Sequence, residues 1–145
     1  MGYTNYYYVK KEVKELPKEF LDDCEKVVRE WNRQHGCSAK LTIECSPSLL
    51  ILDGPACTCE NMVFDMSPDP RFVHFHDGAR FNFTKTRADA YDSAVKAICM
   101  IGVKYGVVTK WSFDGTTDEK EYADAVELMK ACGFEPEPPT DEDEA

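Results

Sequence analysis

Lys85 and Arg87 stand two residues apart in the stretch Phe83-Thr84-Lys85-Thr86-Arg87-Ala88-Asp89-Ala90-Tyr91-Asp92, in a chain whose formal net charge is −10. Two cations and two threonines gather where a strand-like alternating run passes into a long apolar-periodic run. That pattern reads as a strand handing over to a helix. The first turn of a helix leaves backbone N–H groups without intrahelical partners and carries partial positive charge. With Lys85 and Arg87 added, the junction is a candidate seat for a phosphate or carboxylate. Thr86, Asp92 and Glu60 offer groups for ribose hydroxyls or base edges, and Tyr3, Tyr7 and Tyr91 offer rings that can stack on a base. The same residues also read as an ordinary capped helix start. Thr86 is then the N-cap, Asp89 completes an imperfect capping box, and both cations are simply solvated.

Other chemistries find weaker spacing. Cys57 and Cys59, and again His74 and His76, are separated by one residue, so each pair shares a strand face. Two such strands side by side could form a Cys2His2 zinc site, although the usual knuckle places two residues between cysteines. Strand alternation explains the histidines equally well. A thiol enzyme needs a cysteine activated by a nearby base, and no local signature marks one. There is neither a Walker loop nor a Gly-rich dinucleotide fingerprint. No cofactor is implied, and binding without catalysis is the favoured reading over an enzyme.

The elements that must position these groups follow from periodicity. Residues 2–9 form an aromatic strand, with Tyr3, Asn5, Tyr7 and Val9 on one face and Thr4, Tyr6 and Tyr8 on the other. Phe20, Leu21, Cys24, Val27, Val28 and Trp31 recur on one face of a helix over 17–35, opened by Pro17 and stopped by Gly36. Strands are expected over 40–45, 48–52, 61–66, 71–76 and 79–84, closed by Asp53-Gly54-Pro55, Ser67-Pro68-Asp69-Pro70 and Asp77-Gly78. The second helix, 88–105, is the most apolar. A strand over 107–113 and a third helix from Thr117 to about Cys132 complete the order. The predicted fold is α+β: a mainly antiparallel sheet of about six or seven strands with three helices packed on it.

A chain of 145 residues with 43% apolar content suits one domain, assigned to residues 1–134. Residues 135–145 hold six acids and no bases, which leaves −4 for the remainder. This Pro- and acid-rich tail is expected to be disordered. An acidic body argues against binding a nucleic-acid polymer, which needs a basic surface. No apolar run approaches the length of a membrane span, and no signal peptide is expected. Seven scattered cysteines fit reduced thiols in a cytoplasmic protein. A small phosphate-bearing ligand, a host protein and a second copy of the chain are the candidate partners.

The order of these pieces resembles a family of small proteins encoded by tailed bacteriophages and prophages. Its members begin Met-Gly-Tyr-Thr-His-Tyr-Trp, similar to Met1-Gly2-Tyr3-Thr4-Asn5-Tyr6-Tyr7, with Asn5 where His is usual. Ile51-Leu52-Asp53-Gly54, Glu60-Asn61-Met62-Val63-Phe64 and Phe113-Asp114-Gly115 resemble later motifs. The family's Phe-Cys-Lys-Thr-Ala-Arg-Lys-Pro-Tyr-Asp is matched in register at Lys85, Thr86, Tyr91 and Asp92. The resemblance covers most of residues 1–115. It implies a phage origin, action in the host cytoplasm and a shared pocket that includes Asn5. The expected function is sequestration of a cyclic-nucleotide-like or ADP-ribose-derived signal made by host defence. Alternatives are an inhibitor that binds a host or phage enzyme through its surface and acidic tail, and an enzyme that degrades the same signal.

Overall fold

The structure is a computed structural model that describes residues 3–36, 40–54, 60–69, 71, 73–76, 78–86 and 90–140. The elements run β1 (Thr4–Val9), α1 (Lys18–His35), β2 (Thr42–Ser46), β3 (Leu49–Asp53), β4 (Met62–Asp65), β5 (Phe75–His76), β6 (Ala79–Lys85), α2 (Asp92–Lys104), β7 (Val108–Phe113) and α3 (Lys120–Ala131). The α+β class is as expected, with three helices and seven strands among the described residues. The strands form two antiparallel sheets rather than one: β5-β6-β1-β7 and β2-β3-β4. The divide falls after β4, where side chains take over the backbone donors. Ser67 N–H donates to Asp65, Asp69 N–H to Ser67 and Arg71 N–H to Asp69. Such local bonds compete with a ladder and end it. The strand expected over 71–76 accordingly shortens to Phe75–His76.

β1 is an inner strand, antiparallel to β6 and β7, with Tyr7 opposite both Asn82 and Trp111. Asn5, Tyr7 and Val9 are buried on its inner face. Tyr7 also ties the two sheets together. Its hydroxyl lies 3.0 Å from Thr84 Oγ1, donates to Val63 O at 3.2 Å and accepts from Val63 N at 3.3 Å. Its ring stacks on Phe64, 5.1 Å between centroids.

α1 buries Phe20, Leu21, Cys24, Val27, Val28 and Trp31, the six residues its periodicity selects, and exposes its charges. α2 is buried continuously from Asp92 to Gly102, as its composition demands. It packs on β7 and β1 and against α1 and α3. Gly102 allows this close seat, because a Cβ there would collide with Val108. Both later helices start after their expected positions, α2 at Asp92 and α3 at Lys120, and neither N-cap residue makes a side-chain capping bond.

The acidic tail, expected to be free from Glu135 onward, is instead held against β7 as far as Thr140. Thr140 N–H donates to Trp111 O at 2.7 Å, and Trp111 N–H donates to Thr140 Oγ1 at 3.2 Å. Trp111 Nε1 donates to Pro138 O at 3.0 Å. A buried indole with a donor to satisfy thus captures the chain. Residues 141–145 lie outside the described residues. Among the described residues, no helix is long and apolar enough to cross a membrane.

Candidate functional site

Asp92 and Lys96 are one helical turn apart on α2, so both face β1. They pair directly, with the two side chains 1% and 0% exposed. Lys96 Nζ also donates to Tyr3 Oη at 2.9 Å and to Asn5 Oδ1 at 3.0 Å. Asp92 Oδ1 accepts from Asn5 Nδ2 at 2.6 Å and from the Thr86 hydroxyl. Four predicted site residues, Tyr3, Asn5, Thr86 and Asp92, therefore converge, and they converge on a lysine the motif reading missed. Lys96 carries three donors and all three are used. Its Nζ also lies 4.5 Å from the Tyr3 ring centroid and 4.3 Å from that of Phe113.

Burial pushes the Lys96 pKa below the ordinary lysine value, and the Asp92 charge works in the opposite direction. Burial pushes the Tyr3 phenol upward, with Asp92 and Glu121 adding to the effect. The Thr86 hydroxyl donates to Asp92, and Asp89, its expected capping-box partner, lies outside the described residues. The knot is a satisfied buried network, and such a network fixes the register of β1 against α2. An apolar-periodic helix with Asp and Lys four residues apart was the available signal.

Tyr7 and Tyr91 are each 1% exposed, so neither ring is offered to a ligand. The Tyr91 hydroxyl donates to Glu60 O at 3.0 Å and Leu52 O at 3.4 Å. Its ring lies close to Gly54, 3.4 Å from where a Cβ would stand. Glu60 and Lys85 meet at the surface. Glu60 Oε1 accepts from Lys85 N at 3.0 Å, and Lys85 O accepts from Glu60 N at 3.1 Å. Arg87, Cys57 and Cys59 lie outside the described residues; His74 and His76 are exposed, beside Phe81 and Tyr8.

Two surfaces adjoin this machinery. The first is a cleft of about 370 Å³ between α1, the start of α2 and α3. Asp92 and Ser93 line it from α2, with Glu121, Asp124, Glu127 and Lys120 on the α3 side. Lys120 pairs with Asp124 at 2.8 Å. A wall this rich in carboxylates repels phosphate.

The second surface is the outer face of the four-stranded sheet. Registry places Tyr8 opposite Phe81 and Lys110, Tyr6 opposite Phe83 and Ser112, and Lys85 opposite Thr4. Tyr6, Tyr8 and Phe81 are partly exposed, whereas Lys85 and Lys110 are exposed. Phe83 is 47% exposed, alone among the described large hydrophobic residues in being so open. The rings adjoin one another: Tyr8–Phe81 at 5.0 Å, Phe81–Phe83 at 6.0 Å and Tyr6–Phe81 at 6.4 Å between centroids. Tyr6 is oriented by its hydroxyl, which donates to Asp114 Oδ1 at 3.0 Å. Lys110 Nζ lies 5.8 Å from the Tyr8 centroid. Alternation had put Tyr6 and Tyr8 together, but nothing in the sequence said that their face would be open. Comparison with family models, with curated proteins and with solved structures found no match.

Proposed function

We propose that this protein is a non-catalytic binder of a nucleotide-like ligand, and that the ligand lies on the outer aromatic face of the β5-β6-β1-β7 sheet. One observation carries the reading: Lys85 shares that open face with Tyr6, Tyr8, Phe81 and Phe83. Aromatic rings on a sheet give a base a stacking surface, and a flanking ammonium meets phosphate. This site keeps Lys85 from the junction and replaces the buried Tyr7 and Tyr91 with rings a ligand can reach. The acidic cleft beside α2 suits an anion poorly.

The likeness of residues 1–115 to tailed-phage proteins suggests the setting. There, a binder without catalysis would withdraw a nucleotide signal from host defence in the cytoplasm. A second reading, a protein-binding inhibitor, draws on the same patch, since exposed aromatic clusters also mark protein interfaces. Titration calorimetry with nucleotides separates the two. Phe83→Ala should weaken nucleotide binding by about 1–3 kcal/mol, the scale of base stacking. Ligand recovered intact after denaturation supports sequestration, whereas altered ligand supports catalysis. Failure of any nucleotide to bind removes the reading.

A further inference from the structure

The open face carries two ring–lysine pairs, one along a strand and one across strands. Phe83 and Lys85 are two residues apart on β6 and project to the same side. Tyr8 and Lys110 are direct cross-strand partners on β1 and β7, with the ammonium 5.8 Å from the ring centroid. Each pair joins a stacking ring to a cation. The two lysine backbones stand roughly 17 Å apart, taking ~3.4 Å per residue along a strand and ~4.8 Å between strands. Phe81 lies between the two stations, 6.0 Å from Phe83 and 5.0 Å from Tyr8. A mononucleotide occupies one station and leaves the other bare.

We propose that the ligand carries at least two bases, as a short single-stranded or cyclic oligonucleotide, with one base and phosphate at Phe83–Lys85 and the next at Tyr8–Lys110. This rests on the nucleotide reading above and narrows it. Two exposed lysines flank the rings, Asp114 and Glu60 border them at Tyr6 and Lys85, and the whole chain carries −10. That net charge repels a long polyanion, so the ligand is short. A duplex keeps its bases stacked inside and has no ring to offer the platform.

The test is calorimetric titration of the full chain with adenosine monophosphate, linear pApA, cyclic di-adenosine monophosphate, single-stranded hexa-adenylate and an RNA duplex. At least one two-base probe should bind about ten-fold or more tighter than the monophosphate, the gain of one further stacked base. Whichever of the linear and cyclic forms binds tighter identifies the source. Hexa-adenylate should gain little beyond that, and the duplex should bind weakest. Lys110→Ala, at an exposed position, should pull the two-base probe down to the monophosphate level while the melting temperature stays unchanged. Equal affinity for one-base and two-base probes would overturn this inference and leave the nucleotide reading standing. Duplex binding as tight as single-strand binding would overturn it too. Absence of binding by every probe would sink both proposals. So would concentration-dependent self-association that Phe83→Ala abolishes, because the face would then belong to a second copy of the chain.

Discussion

Asp92 and Lys96 form an ion pair inside the protein, one turn apart on α2, with neither side chain more than 1% exposed. A buried pair contributes little relative to apolar residues of the same shape, but removing one partner strands the other charge. Lys96→Ala should therefore destabilise by about 3–5 kcal/mol in urea titration. The double variant Asp92→Leu/Lys96→Met should recover only part of that loss, because the buried Asn5 amide loses both Asp92 and Lys96. If Lys96→Ala costs no more than a surface substitution, the knot does not hold β1 to α2.

The alkaline limb of stability tests the buried phenols and thiols. Burial pushes the Cys45 thiol up to about 12, with Glu25 adding to it, and raises Cys24, Cys99 and Tyr7 as well. A hydrogen bond to Asp23 lifts Tyr105 to about 12. Each has a folded pKa above its unfolded one. Each contributes stability below the unfolded value, roughly 8.5 for Cys and 10 for Tyr, and that stability is lost as pH climbs toward the folded value. Lys96 is displaced downward, so its penalty is full in acid and eases as pH rises through its folded value. In the alkaline range the raised thiols and phenols outnumber the lowered lysine, so the melting temperature should fall steadily above about pH 8.5. Lys96→Met should steepen that fall. A flat profile to pH 11 would contradict the burial of these groups.

The described contacts of the tail with Trp111 come from Pro138 and Thr140. Deleting residues 141–145 keeps them and should cost less than the longer deletion. Deleting 136–145 removes three hydrogen bonds from Trp111 and should cost roughly 1.5–4 kcal/mol. The short deletion also isolates the acidic tip: nucleotide binding should survive it, and an inhibitor that acts through the tail should not. Equal stability of both truncations would show that the strap does not matter.

Tyr7→Phe keeps the stacking on Phe64 and removes only the hydroxyl between Thr84 and Val63. A loss of about 1–3 kcal/mol is expected, since the partly buried Val63 N–H and C=O and the buried Thr84 hydroxyl lose a partner. Denaturant unfolding with an unchanged m-value would confirm that the effect is on stability alone.

Much of this fold could be read from periodicity. The α1 face, the buried character of α2 and most strand limits follow from patterns of 3.6 and 2, because burial is what those patterns record. Three things were not legible. Side-chain turns from Asp65 to Arg71 split the sheet, and their bonds depend on local rotamers rather than residue type alone. Lys96 reads as a surface cation on an apolar helix until Tyr3 and Asn5 arrive from a strand more than 90 positions away. The openness of the Tyr6–Tyr8 face depends on which elements cover the sheet, and alternation cannot state that. Tyr7 and Tyr91 serve the core, while Tyr6, Tyr8, Phe81 and Phe83 face outward.

The most direct test of the central claim is nucleotide affinity of the wild-type chain beside Lys85→Ala and Phe83→Ala, measured by calorimetry at fixed salt. Binding by the wild type should weaken by about 1.5–3 kcal/mol in Lys85→Ala, the scale of a charged hydrogen bond, with the melting temperature unchanged. Affinity that is indifferent to both substitutions would contradict the account, because it would place the ligand somewhere other than the open aromatic face.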